Sequence, residues 1–365
     1  MTAFESVPEQ HEAKRLLAAA LHEGPAHAYL FHGPGGVGKR ELARRFAAEL
    51  LGDHLRVERG SHPDLYVLEP LGEQIRIDDI RELRRDLHMR PFEADRRIYL
   101  VFGAESMNED AADALLKDLE EPPPYAIVVL VAEELGPLPE TIRSRCQLVP
   151  FRRLSERAVH EALGERAPEL GEEELTTLAR MAGGRLDRAW RLLDPAAARR
   201  RAELIRVARA VYLDPAFEAA GATDALIVGI SERGAEAKEA AEGQVAALEL
   251  TGREAEQRVR RAQRGAEREE LLALLEELEW WYRDLVVVAA GAEAVAVHAD
   301  RLAELRVDAT RERLPLAERA CELVRGAWRE AEELQVSTPL ALEALLIRLA
   351  AEFGLQRLVP ATAQR

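Results

Sequence analysis

Gly33-Pro34-Gly35-Gly36-Val37-Gly38-Lys39-Arg40 decides how the rest of this chain is read. A loop of the form G-x-x-x-x-G-K wraps phosphates in a nest of backbone N–H groups at the opening of a helix. Its lysine ammonium reaches the same oxygens. The pattern is complete through Lys39. The next position normally carries a serine or threonine hydroxyl that holds Mg²⁺. Here that position is Arg40. Gly33, Gly35, Gly36, Val37, Gly38, Lys39 and Arg40 therefore remain as a candidate phosphate cradle without its metal ligand. A loop kept for fold geometry alone, with nothing bound, is the plain alternative.

The flanks support a loop between a strand and a helix. Ala28–Phe31 is a short apolar run leading straight into the glycines. Lys39–Leu51 then repeats Leu42, Phe46 and Leu50 at helical spacing. Further on, Asp64–Leu68 alternates like a strand. Asp78–His88 carries Ile80, Leu83 and Leu87 on one helical face, with Asp78 as N-cap and Pro91 as stop. Ile98–Phe102 and Ala126–Val131 are continuous apolar runs, as expected of parallel strands buried on both faces. Asn108–Glu121 is a helix ended by three prolines, and Gln147–Phe151 is a further strand. Strand–helix alternation around a glycine loop predicts an α/β core with a parallel, helix-covered sheet.

After Phe151 the strand signals stop. Ser155–Leu193 reads as short helices broken at Gly164, at Pro168–Gly171 and at Gly183-Gly184. Pro195 and Asp214-Pro215 flank another helix. Beyond Pro215 the chain is helical. Ser231–Glu279 is dense in Ala, Glu and Arg and predicts one or two long exposed helices. Trp280-Trp281-Tyr282 marks the return to a core, and Thr338–Glu352 is a strongly apolar closing helix. The expected parts are a core over 1–152, a helical lid over 153–213 and an all-α domain over 214–365.

Bulk properties narrow the class. The 365 residues carry a net charge of -16, with 32% charged and 5% aromatic residues. That charge argues against a protein that holds nucleic acid by bulk electrostatics alone. The cysteines, Cys146 and Cys321, lie far apart and have no metal-ligand spacing, which suits a reducing cytoplasm. The charged N-terminus predicts no signal peptide, and no apolar run is long enough for a bilayer.

Several segments together resemble one family, the delta-prime subunits of the bacterial DNA polymerase III clamp loader, which are AAA+ proteins. They are His27–Pro34, Ala112–Pro123 with its Leu119-Glu120-Glu121-Pro122-Pro123, and Pro139–Cys146 with its Ser144-Arg145-Cys146. The likeness is specific over about 25–150. It continues weakly through Trp281–Asp284 and Ser337–Leu349, which look like the family's C-terminal collar.

The resemblance implies an AAA+ core, a lid and an oligomerising collar. Implied partners are the ATPase motor subunits, delta, the sliding clamp and primer–template DNA, with no membrane. The adjacent acids that serve metal and water in the hydrolysing subunits would align with Phe102 and Gly103. Glu105 lies further on, aimed elsewhere. The polar sensor after the next strand would fall at Ala132 or Glu133, and the second sensor at Arg185 or Arg188. These departures imply no intrinsic hydrolysis, so any enzyme class would come through the polymerase complex. ATP or ADP, if bound, would be held without catalysis by backbone and Lys39. No zinc is expected, because Gly52–Pro63 lacks cysteine.

Arg145 is the opposite case. The resemblance makes it an arginine finger reaching a neighbour's ATP; a structural salt bridge is the alternative. Arg81, Arg84 and Arg85, with Arg76 and Arg90 nearby, are candidate DNA-phosphate contacts on one helix face. Interleaved Asp78, Asp79, Glu82 and Asp86 also allow a merely solvated surface. An ATP-hydrolysing motor subunit and an AAA+ adaptor outside replication remain the competing functions.

Overall fold

In the computed structural model, residues 4–70, 74–247, 252–333 and 337–354 are described. The chain divides into two compact units, Met1–Trp190 and Arg191–Arg365. The interval 153–213, read as one lid, is thus shared between them.

The first unit opens with α1 (His11–Glu23), β1 (Ala28–His32), α2 (Lys39–Leu51) and the short α3 (His54–Glu58). It continues through β2 (Leu65–Leu68), α4 (Ile77–Leu87), β3 (Arg97–Phe102) and α5 (Glu109–Glu120). Then come β4 (Ala126–Ala132), α6 (Glu140–Arg143), β5 (Gln147–Pro150), α7 (Glu156–Arg166) and α8 (Glu172–Met181). All five strands are parallel, in the order β2-β3-β4-β1-β5.

Alternation along the strands feeds two cores. Tyr29, Phe31, Ile98, Leu100, Phe102, Ile127, Val129 and Val131 pack with α1 and α2 on one face. Leu30, Tyr99, Val101, Val128 and Leu130 pack with α4 and α5 on the other. Successive side chains point to opposite faces, so a strand covered on both sides must be apolar at every position. Every residue of β3 and β4 is buried, including Arg97, whose Nη2 donates to Asp86 Oδ1 at 2.6 Å.

α9 (Leu186–Leu193) spans the division between the units. The second unit then holds α10 (Pro195–Leu213), α11 (Ala219–Ala247), α12 (Gly252–Ala289), α13 (Leu302–Asp308), α14 (Leu314–Glu333) and α15 (Thr338–Glu352). Leu204, Val211, Leu278, Trp281, Tyr282, Val324, Leu345 and Leu349 share its core. Within it His298 and Asp284 are fully buried; His298 Nδ1 lies 2.8 Å from Asp284 Oδ2, and Nε2 lies 3.0 Å from Glu277 Oε1. Burial lowers the imidazole pKa, but Glu277 and the bond to Asp284 outweigh it and the net direction is up.

Several local expectations change. Gly164 does not break a helix, because α7 runs through it. Asp78 is not the N-cap of α4. Arg76 is, and its N–H donates to Asp79 Oδ2 at 2.9 Å. Nor are α11 and α12 simply exposed. They pack along one another, burying Ala241, Ala266 and Leu271.

Candidate functional site

The glycine loop sits between β1 and α2, as its spacing predicts. Gly38 takes a left-handed φ of 96° before the first turn of α2. Lys39 follows and is only 6% exposed. Its ammonium donates to the carbonyls of Gly33 and Pro34, each at 2.5 Å. The charge that would reach phosphates is folded back onto the loop itself.

Acids from three other segments close in. A Cβ placed on Gly35 would lie 2.7 Å from Glu133 Oε1, and one on Gly36 would overlap Asp187 Oδ1 outright. A side chain at either position would have to push that carboxylate aside. Asp187 comes from the start of α9, whose Leu186 N–H donates to Gly36 O at 2.7 Å. Asp187 is in turn held by Arg185 Nη2 at 2.6 Å and by the Arg188 N–H at 2.8 Å. Burial raises its carboxyl pKa, but these donors prevail and hold it below the usual range.

Glu105 is the third acid. The sequence aims it elsewhere, but the structure brings it into this cluster. Its Oε1 accepts from the Glu133 N–H at 3.2 Å, and its buried Oε2 has no hydrogen-bond partner among the described residues. Burial pushes the Glu105 carboxyl pKa up, with Glu133 adding to the effect and Lys39 opposing it. Burial pulls the Lys39 ammonium down, against Glu133, Glu105 and Asp187. Arg185 also bears on Lys39, whereas Arg188 is buried with Nε on Met181 O at 2.8 Å. Of the two candidate sensor arginines, Arg185 is therefore the one beside the loop.

The two departures from the hydrolytic pattern touch each other. The Arg40 guanidinium lies 4.6 Å from the centroid of the Phe102 ring, with Arg44 5.3 Å from the same ring. Both arginines face Glu69, at 3.5 and 3.6 Å. A ring on β3 cannot ligate a metal, but its π-face suits a guanidinium. Among the described residues, no group of three or more His, Cys, Asp and Glu could hold a metal ion.

A second place of interest lies at the C-terminal end of α5. Arg145 follows α6 and has a third of its side chain exposed. Its Nη1 donates to Thr141 O at 2.8 Å, and its Nη2 pairs with Glu120. The two most distinctive sequence segments, Leu119–Pro123 and Ser144–Cys146, therefore meet through one ion pair. Cys146 beside it is buried, and its thiol pKa is pushed up to about 12, so it packs rather than reacts.

The α4 arginines do not act as one face. Arg81 and Arg85 are exposed, with Arg81 beside Asp78 at 3.0 Å. Arg84 turns inward to pair with Asp118, which is 2% exposed and also meets His88 Nε2 at 3.0 Å. Burying a carboxylate demands such partners. Arg84 is thereby paired within the fold, unlike Arg85 and Arg81 on the exposed side.

Sequence reasoning passed over Asp187, Glu120 and Glu69. Asp187 sits in a charged run with no signal of its own. Glu120 lies inside a motif already singled out, so its pairing with Arg145 was within reach.

A parallel sheet with a glycine loop after β1, followed by a helical unit, defines a P-loop α/β core and an all-α domain. Residues 9–155 match the protein family described as "DNA polymerase III, delta subunit". The chain is 35% identical over 152 residues to DNA polymerase III subunit delta' of Bacillus subtilis, covering 38% of this chain and 46% of that one. It is 35% identical over 197 residues to the delta' subunit of Pseudomonas aeruginosa, covering 49% and 60%. It is also 30% identical over 207 residues to subunit tau of Bacillus subtilis, covering 52% and 37%. The chain thus spans about half the length of the curated relatives it matches. Its resemblance to the delta-prime family is shown over that N-terminal part. No described helix is long and apolar enough to cross a membrane.

Proposed function

We propose that this chain is a delta-prime-type subunit of a DNA polymerase III clamp loader. It works beside ATPase motor subunits and delta to place a sliding clamp on primed DNA in the cytoplasm. It does not hydrolyse ATP, and it lends Arg145 to a neighbour's nucleotide. The observation that carries the non-hydrolytic half is the Arg40–Phe102 contact. Arg40 stands where the loop pattern has a metal-holding hydroxyl, and Phe102 where the hydrolysing subunits of the resembled family have an acid. Phosphoryl transfer rests on positioning and charge neutralisation by metal and polar groups. A guanidinium over a phenyl ring supplies no water-orienting carboxylate.

The Arg145 half is supported by a guanidinium at the surface, outside the core and away from this chain's own loop. A planar fork there can meet a γ-phosphate from another subunit. The C-terminal helices supply the assembly surface in this reading.

The similarity to tau keeps a motor subunit as the second reading. One experiment separates them. The purified chain should show no turnover, whereas a motor subunit would turn over ATP at around 1 s⁻¹, within the ordinary enzyme range. Activity at that level that vanished on Lys39→Ala would overturn the proposal. Co-purification with loader subunits tests the assembly part directly.

A further inference from the structure

We propose that the chain's own carboxylates, Asp187 and Glu133, guard the phosphate loop, and that a polyphosphate enters only by displacing them. The proposal deepens the degenerate-site part of the reading above and does not depend on the clamp-loader part.

The close approaches carry it. Asp187 Oδ1 stands where a Cβ on Gly36 would be, and Glu133 Oε1 lies 2.7 Å from where one on Gly35 would be. Backbone at such a loop presents N–H groups and favours negative charge. Carboxylates pressed against that loop, Asp187 and Glu133, stand where an incoming phosphate has to pass. Asp187 is also fixed from behind. Arg185 holds both oxygens, Nη2 donating to Oδ2 at 2.6 Å and Nε to Oδ1 at 3.1 Å, and the Arg188 N–H also donates to Oδ1 at 2.8 Å. Leu186, its neighbour, is tied to the loop through Gly36 O.

The arrangement is hostile to added anions. A di- or triphosphate entering beside Lys39 would meet Glu105, Glu133 and Asp187 together, with the ammonium already donating to Gly33 O and Pro34 O. Like charges repel strongly where water is excluded. Gly35 and Gly36 make room for side chains of this chain, whatever happens to nucleotide.

The test uses the isolated full chain and inorganic tripolyphosphate, with ADP in parallel, titrated calorimetrically without metal. The wild type should bind weakly. The Asp187→Ala/Glu133→Ala double variant should bind at least about tenfold more tightly, an easily resolved difference. Adding Lys39→Ala to that variant should remove the gain. If the double variant does not fold, the Asp187→Asn/Glu133→Gln pair keeps the volumes and removes the charges. A clear tightening there supports the exchange. Wild type binding as tightly as a folded variant, or a folded variant that gains nothing, overturns it. A chain that exchanges as described yet fails to join a loader would count against the proposed function alone.

Discussion

The glycine loop and the Ser144–Cys146 edge lie in the same unit but have opposite settings. At the loop, a buried lysine and three acids from distant segments come together, and the Arg40 guanidinium stands over the Phe102 ring. At the edge, Arg145 keeps a third of its surface in solvent and is held by an acid, Glu120, and a carbonyl. A site that performs chemistry for its own chain has to leave room for substrate. A site that serves a neighbour has only to hold one group at the surface. In the function proposed, the loop lacks the first property and the edge has the second.

The contrast is most vulnerable at Arg145. In an assembled loader, Arg145→Ala should lower ATP turnover on the order of 10³-fold, and Arg145→Lys should recover little. Lys39→Ala in this chain should leave the same turnover within about twofold. Comparable losses from both, in complexes shown to be complete, would erase the distinction.

Arg84 separates stability from binding on α4. Removing it strips a charged donor from buried Asp118, which should cost about 2 kcal/mol in thermal or denaturant unfolding. Arg81→Ala/Arg85→Ala should leave stability unchanged. That pair should instead weaken loader binding to primed DNA several-fold and reduce its salt slope by about one for each phosphate no longer neutralised. A stability loss from the exposed pair, or none from Arg84, would reverse the assignment.

Glu105 predicts a smaller, pH-dependent effect confined to the loop. Its folded pKa is raised, so its contribution is most favourable below the unfolded value. That contribution is lost as pH rises through the folded value. Glu105→Gln should therefore raise Tm at neutral pH by about 2 °C, and the gain should shrink toward pH 4. The finger edge should show no such dependence. A destabilised variant at neutral pH would contradict the crowding of acids at the loop. Arg40→Thr restores the hydroxyl type at the end of the loop, yet turnover should stay absent while Glu133 and Asp187 remain in place.

Much of the core was legible. Ile98–Phe102 and Ala126–Val131 announced strands buried on both faces, and Lys39–Leu51 is the helix its spacing predicted, to the residue. Capping was less legible. Asp78 looked like an N-cap, but Arg76 took that place because Asp79 reaches its N–H. The arginines of α4 looked alike in sequence and separated only when Asp118 was buried behind them.

Local periodicity and residue chemistry, which act over a few neighbours, were enough to specify a parallel helix-covered sheet and a glycine loop at the opening of α2. Residue chemistry also showed Arg40 where the loop pattern expects a hydroxyl. What occupies the loop, that Arg40 and Phe102 meet, and that Glu120 holds Arg145 all depended on the packed fold. A carboxylate in a charged segment is ordinarily solvated. Asp187 and Glu133 acquire another role because packing brings them from far along the chain onto backbone that only glycine leaves bare.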